Sequence, residues 1–425
     1  MAGRDSAKYS SNVKARRCGA VVGGALGAFV AAAAMATGSA APAKADFEDL
    51  LDPIIQPLLT SVTDSLSGFD PTVGADLTSW TDSMLTSLNS IDLALPSAAE
   101  PATASAASAS PASNSITDTP GDVYLPLTMQ ETTEPTVNAS IDGGSPEPLL
   151  VDTGSSGLVI PYTDLGLANL LELGLPSSFG ESGYSGGVEY IYLTYDNVPV
   201  DYDTVDPTTG ADSTPLDTDG PVEVVVYSWN PSDPTSFFTN DAFQQFLASD
   251  DASGGILGVG DNISGGAGES PFEAAGYDGV TVDEPDGYLI ASDSNPGTAY
   301  DTLPSTGSTP NSDLTETVTD PSTSTVVGSG PVSDDIDSGG VYGTIPSTIE
   351  PNSDGVPDGD VVTVYDGTTP LYSYTVENDG DNQLPNETPT VTTGRSIDSG
   401  YEAFENNPVY IDYTNDDVDY DTPLS

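Results

Sequence analysis

Leu149-Leu150-Val151-Asp152-Thr153-Gly154-Ser155-Ser156-Gly157-Leu158-Val159-Ile160-Pro161 is an apolar run that stops at an acid, turns through glycines and leaves on a second apolar run. Far downstream the pattern returns as Asp334-Asp335-Ile336-Asp337-Ser338-Gly339-Gly340-Val341-Tyr342-Gly343-Thr344-Ile345-Pro346. Each turn begins with Asp, a short hydroxyl residue and Gly, and each segment ends in Ile-Pro. Leu149-Leu150-Val151 reads as a buried strand, which delivers Asp152 into a cleft rather than onto a solvated face. Gly154 lets the chain turn where a Cβ would crowd it. The residues before Asp337 are acidic, so its strand is expected to be less apolar and shorter.

Two carboxyls that converge on one space cannot both ionise cheaply, so the pair holds one proton between them. Such a pair can accept a proton from water and donate one to a carbonyl oxygen. Asp152 and Asp337 are therefore the candidate catalytic residues. Thr153 and Ser338 are placed to donate across to the backbone of the opposite loop, and Gly154 and Gly339 shape the two turns. Ser155 is placed to hydrogen-bond the outer oxygen of Asp152. Its counterpart, Gly340, has no hydroxyl, which leaves Asp337 dependent on water or backbone donors. A third triplet, Asp398-Ser399-Gly400, leads into Tyr401-Glu402-Ala403 with no Ile-Pro, and is set aside as a member of the pair.

Composition removes most competing chemistries. The 425-residue chain has 7 Lys and Arg against 66 Asp and Glu, a formal charge of -59. Nucleic acid, whose phosphates need basic partners, is excluded as a ligand class. With no His there is no Ser-His-Asp triad, no Cys-His pair and no His-based zinc site. The single cysteine, Cys18, lies near the N-terminus. No cofactor is called for. The acidic clusters at 334–337 and 412–420 lack the spacing of a twelve-residue calcium loop, so no metal is assigned. A glycosidase also uses two carboxylates, but duplicated Gly loops with neighbouring hydroxyls fit a shared proton better.

Arg4, Lys8, Lys14, Arg16 and Arg17 precede a run of small and apolar residues from Gly19 to Met35, followed by Ala43-Lys44-Ala45. This is the pattern of a secretory signal peptide over residues 1–45, with no membrane span after its removal. Cleavage there leaves Arg395 as the one basic residue. Like-charge repulsion then opposes folding and salt screens it. Stability is expected to rise with salt; a melting temperature that falls steadily from low to molar sodium chloride would contradict this.

Residues 46–96 carry helical spacing broken by Pro53 and Pro57, a short helical segment or prosegment. Residues 97–118 are an Ala/Ser/Pro-rich linker. From Val123 onward, runs rich in Val, Ile, Tyr and Thr alternate with Gly, Pro, Asp and Asn clusters, so the fold is expected to be mainly β. Helical signal is confined to Leu167–Leu173 and Ser236–Ala248. Ser292–Ser333, polar and weakly periodic, is expected to form long surface loops.

With these residues in view, the chain resembles the pepsin-type aspartic endopeptidases. Asp152-Thr153-Gly154-Ser155 and Asp337-Ser338-Gly339 match the two active-site motifs of that family. Gly254-Gly255-Ile256-Leu257-Gly258-Val259-Gly260 resembles the element that threads behind the first catalytic loop. Gly183-Tyr184-Ser185-Gly186-Gly187 and the motif decapeptides are similar to the secreted aspartic proteases of mycobacteria and relatives, the group that cleaves PE-family surface proteins. The resemblance implies a bilobal pepsin-like fold with lobes at 119–290 and 291–425, and Tyr184 near the tip of a flap. It implies a secreted or cell-envelope endopeptidase, monomeric, acting on envelope or secreted polypeptides and on itself. The rival reading is a non-catalytic β-rich envelope or adhesion protein, in which the Asp152 and Asp337 loops would lie apart.

Overall fold

The computed structural model describes residues 121–422, except 131–132, 185–186, 234, 250–251, 253, 262–267, 307–308, 311–313, 353–354 and 378–387. The expected signal peptide, the helical segment at 46–96 and the linker at 97–118 lie outside the described residues, as does Cys18.

The described chain is mainly β. Residues 128–259 build an eight-stranded sheet in the order Thr128–Gln130, Glu134–Ile141, Glu147–Asp152, Gly255–Val259, Ser156–Pro161, Leu216–Trp229, Val188–Tyr202 and Ser178–Tyr184. A further pairing of Glu134–Ile141 with Val188–Tyr202, each one strand in from an end of the order, closes this sheet on itself. The enclosed core includes Leu150, Val159, Tyr190, Val225, Phe243, Leu247 and Ile256. A helix at Ala242–Ser249 covers it with Phe243 and Leu247. The expected helix at 236–248 is in fact two, separated at Asn240, which adopts a left-handed backbone conformation.

Residues 314–398 build a five-stranded sheet in the order Thr369–Thr375, Val361–Asp366, Leu314–Asp320, Thr325–Asp335 and Ser396–Asp398. A seven-stranded sheet joins distant parts of the chain: Val123–Pro126, Tyr288–Ser292, Gly279–Asp283, Val409–Asp412, Asp417–Asp421, Ala299–Thr306 and Thr309–Pro310. Its strands Gly279–Asp283 and Tyr288–Ser292 are buried along their whole length, so both of its faces are covered there. The Tyr413 hydroxyl donates to the Val259 carbonyl at 2.9 Å, tying this sheet to the first one. The expected lobe boundary at residue 290 falls inside the Tyr288–Ser292 strand.

Two expectations are corrected. Ser292–Ser333 is largely strand rather than loop: it contains Ala299–Thr306, Leu314–Asp320 and most of Thr325–Asp335. In Leu314–Asp320 the inward positions are Leu314, Glu316 and Val318, and the buried glutamate breaks the apolar alternation that marks a strand in sequence. The strand that delivers Asp337 is also longer than its counterpart, eleven residues against six. It carries three Val, residues that a pleated, half-buried surface accepts. No helix among the described residues is long and apolar enough to cross a membrane.

Candidate active site

Each Asp-led turn sits in a strand–turn–strand loop threaded by a further strand. In the first, Gly255–Val259 runs parallel to Glu147–Asp152, with Leu150 opposite Ile256 and Asp152 opposite Gly258. It runs antiparallel to Ser156–Pro161, with Leu158 opposite Leu257. A Cβ on Gly258 would lie 2.7 Å from the Ser156 backbone, which is why this crossing takes glycine. In the second loop, Ser396–Asp398 runs parallel to the end of Thr325–Asp335, with Asp335 opposite Asp398. Tyr401 N–H donates to the Val341 carbonyl at 3.0 Å as the chain passes on. Two residues before each motif Asp, Leu150 therefore faces Ile256 and Asp335 faces Asp398. Ile256-Leu257-Gly258 and Asp398-Ser399-Gly400 hold equivalent places.

The loops are joined by four reciprocal hydrogen bonds, all buried. Thr153 N–H donates to Ser338 Oγ at 3.1 Å, and Thr153 Oγ1 donates to the Ile336 carbonyl at 2.5 Å. Ser338 N–H donates to Thr153 Oγ1 at 3.0 Å, and Ser338 Oγ donates to the Val151 carbonyl at 2.6 Å. Ser338 is fully buried. Removing its hydroxyl leaves the Thr153 amide and the Val151 carbonyl without that partner, and unmet buried groups cost about 1–3 kcal/mol each. Ser338→Ala is expected to lose roughly 2 kcal/mol or more in urea denaturation, with Ser338→Thr restoring much of it. An alanine variant as stable as the parent would contradict this reading of the junction.

Within each turn the glycine N–H returns to the acid: Gly154 to Asp152 Oδ1 at 2.8 Å, and Gly339 to Asp337 Oδ1 at 2.9 Å. Ser155 Oγ donates to Asp152 Oδ2 at 2.5 Å. The carboxyls of Asp152 and Asp337 adjoin, close enough for the charge of Asp152 to act on Asp337. A Cβ on Gly339 would stand 3.2 Å from the Asp152 carboxyl carbon and 3.3 Å from Asp337 Oδ1, so the glycine keeps open the space that both acids face. Gly154 does the same on the other side, where a Cβ would lie 2.5 Å from the Asp337 carboxyl carbon. The two loops, which a non-catalytic reading expects apart, share one buried centre.

Asp337 is held protonated well above the ordinary carboxylate range. Burial is the largest cause, followed by the charges of Asp152, Asp398 and Asp335 and the hydrogen bond to Asp152. Asp398 and Ser399 are the residues that sequence reading set aside. Asp337 N–H donates to Ser399 Oγ at 3.0 Å. The Asp398 carboxyl is hydrogen-bonded to Asp337 and occupies the space where a side chain on Gly340 would begin. The Gly339 N–H is thus a backbone donor to the Asp337 carboxyl, while Asp398 faces that carboxyl as a further acid and not as a donor in place of the missing hydroxyl. The signal was the Asp-Ser-Gly triplet itself, which marks the threading segment of the second loop rather than a further Asp loop.

Tyr184 ends the strand Ser178–Tyr184, which forms a hairpin with Val188–Tyr202, Tyr184 pairing with Val188. Its ring stacks on Tyr190 at 5.7 Å and on Phe246 at 5.5 Å. It lies close enough to Asp152 to sense its charge. Among the described residues no group of three or more acidic, His or Cys side chains could hold a metal ion.

Residues 123–420 match the family model described as the PE-PGRS C-terminal aspartyl peptidase-like domain. In two strains of Mycobacterium tuberculosis, PE cleavage protein A is 35% identical over 313 residues, covering 68% of this chain and 50% of that protein. PE cleavage protein A of Mycobacterium marinum is 35% identical over 181 residues, 39% of this chain and 30% of that protein. The chain thus spans about half, or less, of the length of the curated relatives it matches. Among solved structures, the aspartic proteinase from Irpex lacteus has a TM-score of 0.47 at 14% identity, covering 71% of this chain and 97% of that one.

Proposed function

This chain belongs to the PE-PGRS C-terminal aspartyl peptidase-like family, and on that premise we propose that it is an aspartic endopeptidase whose water is activated by Asp152 and Asp337. The observation that carries this reading is the convergence of the two carboxyls on the space that Gly154 and Gly339 leave open, each acid at the head of its own threaded loop. With one proton between them, the ionised member takes a proton from a water lying between the carboxyls. The protonated member donates to the carbonyl oxygen of the peptide bond. The water oxygen adds to the carbonyl carbon and gives a neutral tetrahedral intermediate. One acid then protonates the amide nitrogen while the other carboxylate takes a proton from a hydroxyl of the intermediate; the C–N bond breaks, the product carboxyl group forms and the singly protonated pair is restored. These roles belong to the pair rather than to either residue. Thr153, Ser338, Gly154 and Gly339 set the distance between the acids, and Ser155 orients Asp152.

In this proposal the eight-stranded and five-stranded units are two lobes carried on the seven-stranded sheet, with the substrate cleft between the Asp loops. The Ser178–Tyr202 hairpin is the flap and Tyr184 its aromatic contact, released from the stack on Tyr190 and Phe246 when a polypeptide enters. The name of the relatives supports PE-family proteins as the substrate class, cleaved outside the cytoplasm by a salt-adapted monomer. The linker at 97–118 offers a site for self-cleavage. Cleavage of casein by the full chain, suppressed by pepstatin, is the expected result. Casein cleavage that pepstatin leaves intact and that survives Asp152→Asn would overturn the assignment.

A further inference from the structure

The two acids of the pair are supported unequally. Asp152 receives the Ser155 hydroxyl on its outer oxygen. At the matching place in the second loop stands Gly340, and a Cβ there would overlap the Asp398 carboxyl. Asp398 is fixed from its own backbone and from the next strand: Gly400 N–H donates to Asp398 Oδ1 at 3.0 Å, and Asp398 N–H donates to Thr344 Oγ1 at 2.9 Å. Its equivalent in the first half, Ile256, is buried in the hydrophobic core. An apolar position of the threading strand has therefore become an acid, and the residue that would collide with it has become glycine. The two departures are complementary.

We propose that Asp398 is a positioning residue that takes on Asp337 the place Ser155 takes on Asp152, and that this third acid keeps the shared proton on the pair to higher pH. This rests on the peptidase reading of the same site. A hydroxyl donor stabilises an ionised carboxylate and lowers the pH at which the pair loses its last proton. An ionised carboxylate in that place accepts from the protonated Asp337 and repels the charge that its ionisation would create, so the effect has the opposite sign. The charged groups facing Asp337 are Asp152 from the first loop, Asp335 from its own strand and Asp398 from the threading strand. Asp334 also acts on the cluster from the five-stranded sheet. Arg395, next to the Ser396–Asp398 strand, donates from Nε to the Pro331 carbonyl at 3.1 Å. Burial and the Asp152 charge raise Asp398 itself to about 6, against the lowering hydrogen bonds from Gly400 and Asp337, so it is ionised through the neutral range.

The test compares kcat/KM against pH for the full chain, for Asp398→Asn and for the double variant Asp398→Ala/Gly340→Ser. The double variant gives Asp337 the hydroxyl arrangement of Asp152, and Gly340 has no left-handed backbone conformation to forbid serine. Both variants are expected to lose about tenfold relative to the parent near pH 7, while staying within about threefold of it near pH 4. An alkaline limb that coincides with the parent's in a folded variant would overturn the proposal. A second arm needs no catalysis: carboxyl titration of the full chain by NMR, with aspartate labelled with carbon-13. The last proton of the Asp152–Asp337 pair is expected to leave about one pH unit lower in Asp398→Asn. An unmoved titration with normal cleavage sinks the role of Asp398 alone. A moved titration in a chain that cleaves nothing supports that role and sinks the peptidase reading alone.

Discussion

Asp152→Asn and Asp337→Asn are each expected to lower kcat/KM on a peptide substrate by roughly a thousandfold or more, with stability held or raised. Asparagine keeps the size of the side chain and one oxygen acceptor. The inward hydrogen bonds from Gly154 and Gly339 can therefore persist. What disappears is the second titratable group. A positioned general acid or base contributes about a hundred- to ten-thousandfold, and both functions here pass through one pair. The substitution also removes the repulsion that sets in when pH rises far enough for both acids to ionise, a term that opposes folding. The check is cleavage rate and urea midpoint on the same preparations. An asparagine variant that cleaves within tenfold of the parent would contradict the proposed chemistry.

The second large effect concerns stability against pH. Glu223 and Glu316 are buried, each with one carboxyl oxygen that has no hydrogen-bond partner among the described residues. Burial pushes each of them up to about 8. Asp283 and Asp421 are raised to about 7, chiefly by burial. In the unfolded chain these groups titrate near 4. Between those limits the folded chain binds more protons than the unfolded one, so stability must fall as pH rises. The stabilisation is complete below the unfolded value and is lost as pH climbs towards 8. At about 1.4 kcal/mol per pKa unit, each glutamate is worth up to several kcal/mol. The urea midpoint is expected to decline continuously from about pH 4.5 to 8, and less steeply in Glu316→Gln. A flat or rising curve over that interval would contradict the burial of these carboxyls in protonated form.

The same feature explains what was legible in the sequence. The loops at Asp152 and Asp337 were readable because their geometry demands particular residues: an acid at a strand end, a hydroxyl that reaches across, and glycines where a Cβ would strike a carboxyl. The first threading strand was readable because Gly255–Val259 is apolar and ends its crossing at Gly258. Its partner was not, because Asp398 and Ser399 replace Ile256 and Leu257 and read as a turn. The strands at 314–320 and 325–335 were hidden for a related reason. Glu316 and Asp334 occupy inward positions, so burial there does not follow hydrophobicity. A chain that buries protonated acids defeats a reading in which acidic means exposed. Closure of the eight-stranded sheet through Glu134–Ile141 and Val188–Tyr202 is a long-range pairing that no local pattern announces.

Neutron diffraction from a deuterated crystal near pH 5 tests the shared proton most directly. The expected result is a single deuteron between the carboxyls of Asp152 and Asp337, with their nearest oxygens about 3 Å apart. Two bare carboxylates, or acids more than roughly 5 Å apart with each facing solvent, would contradict it.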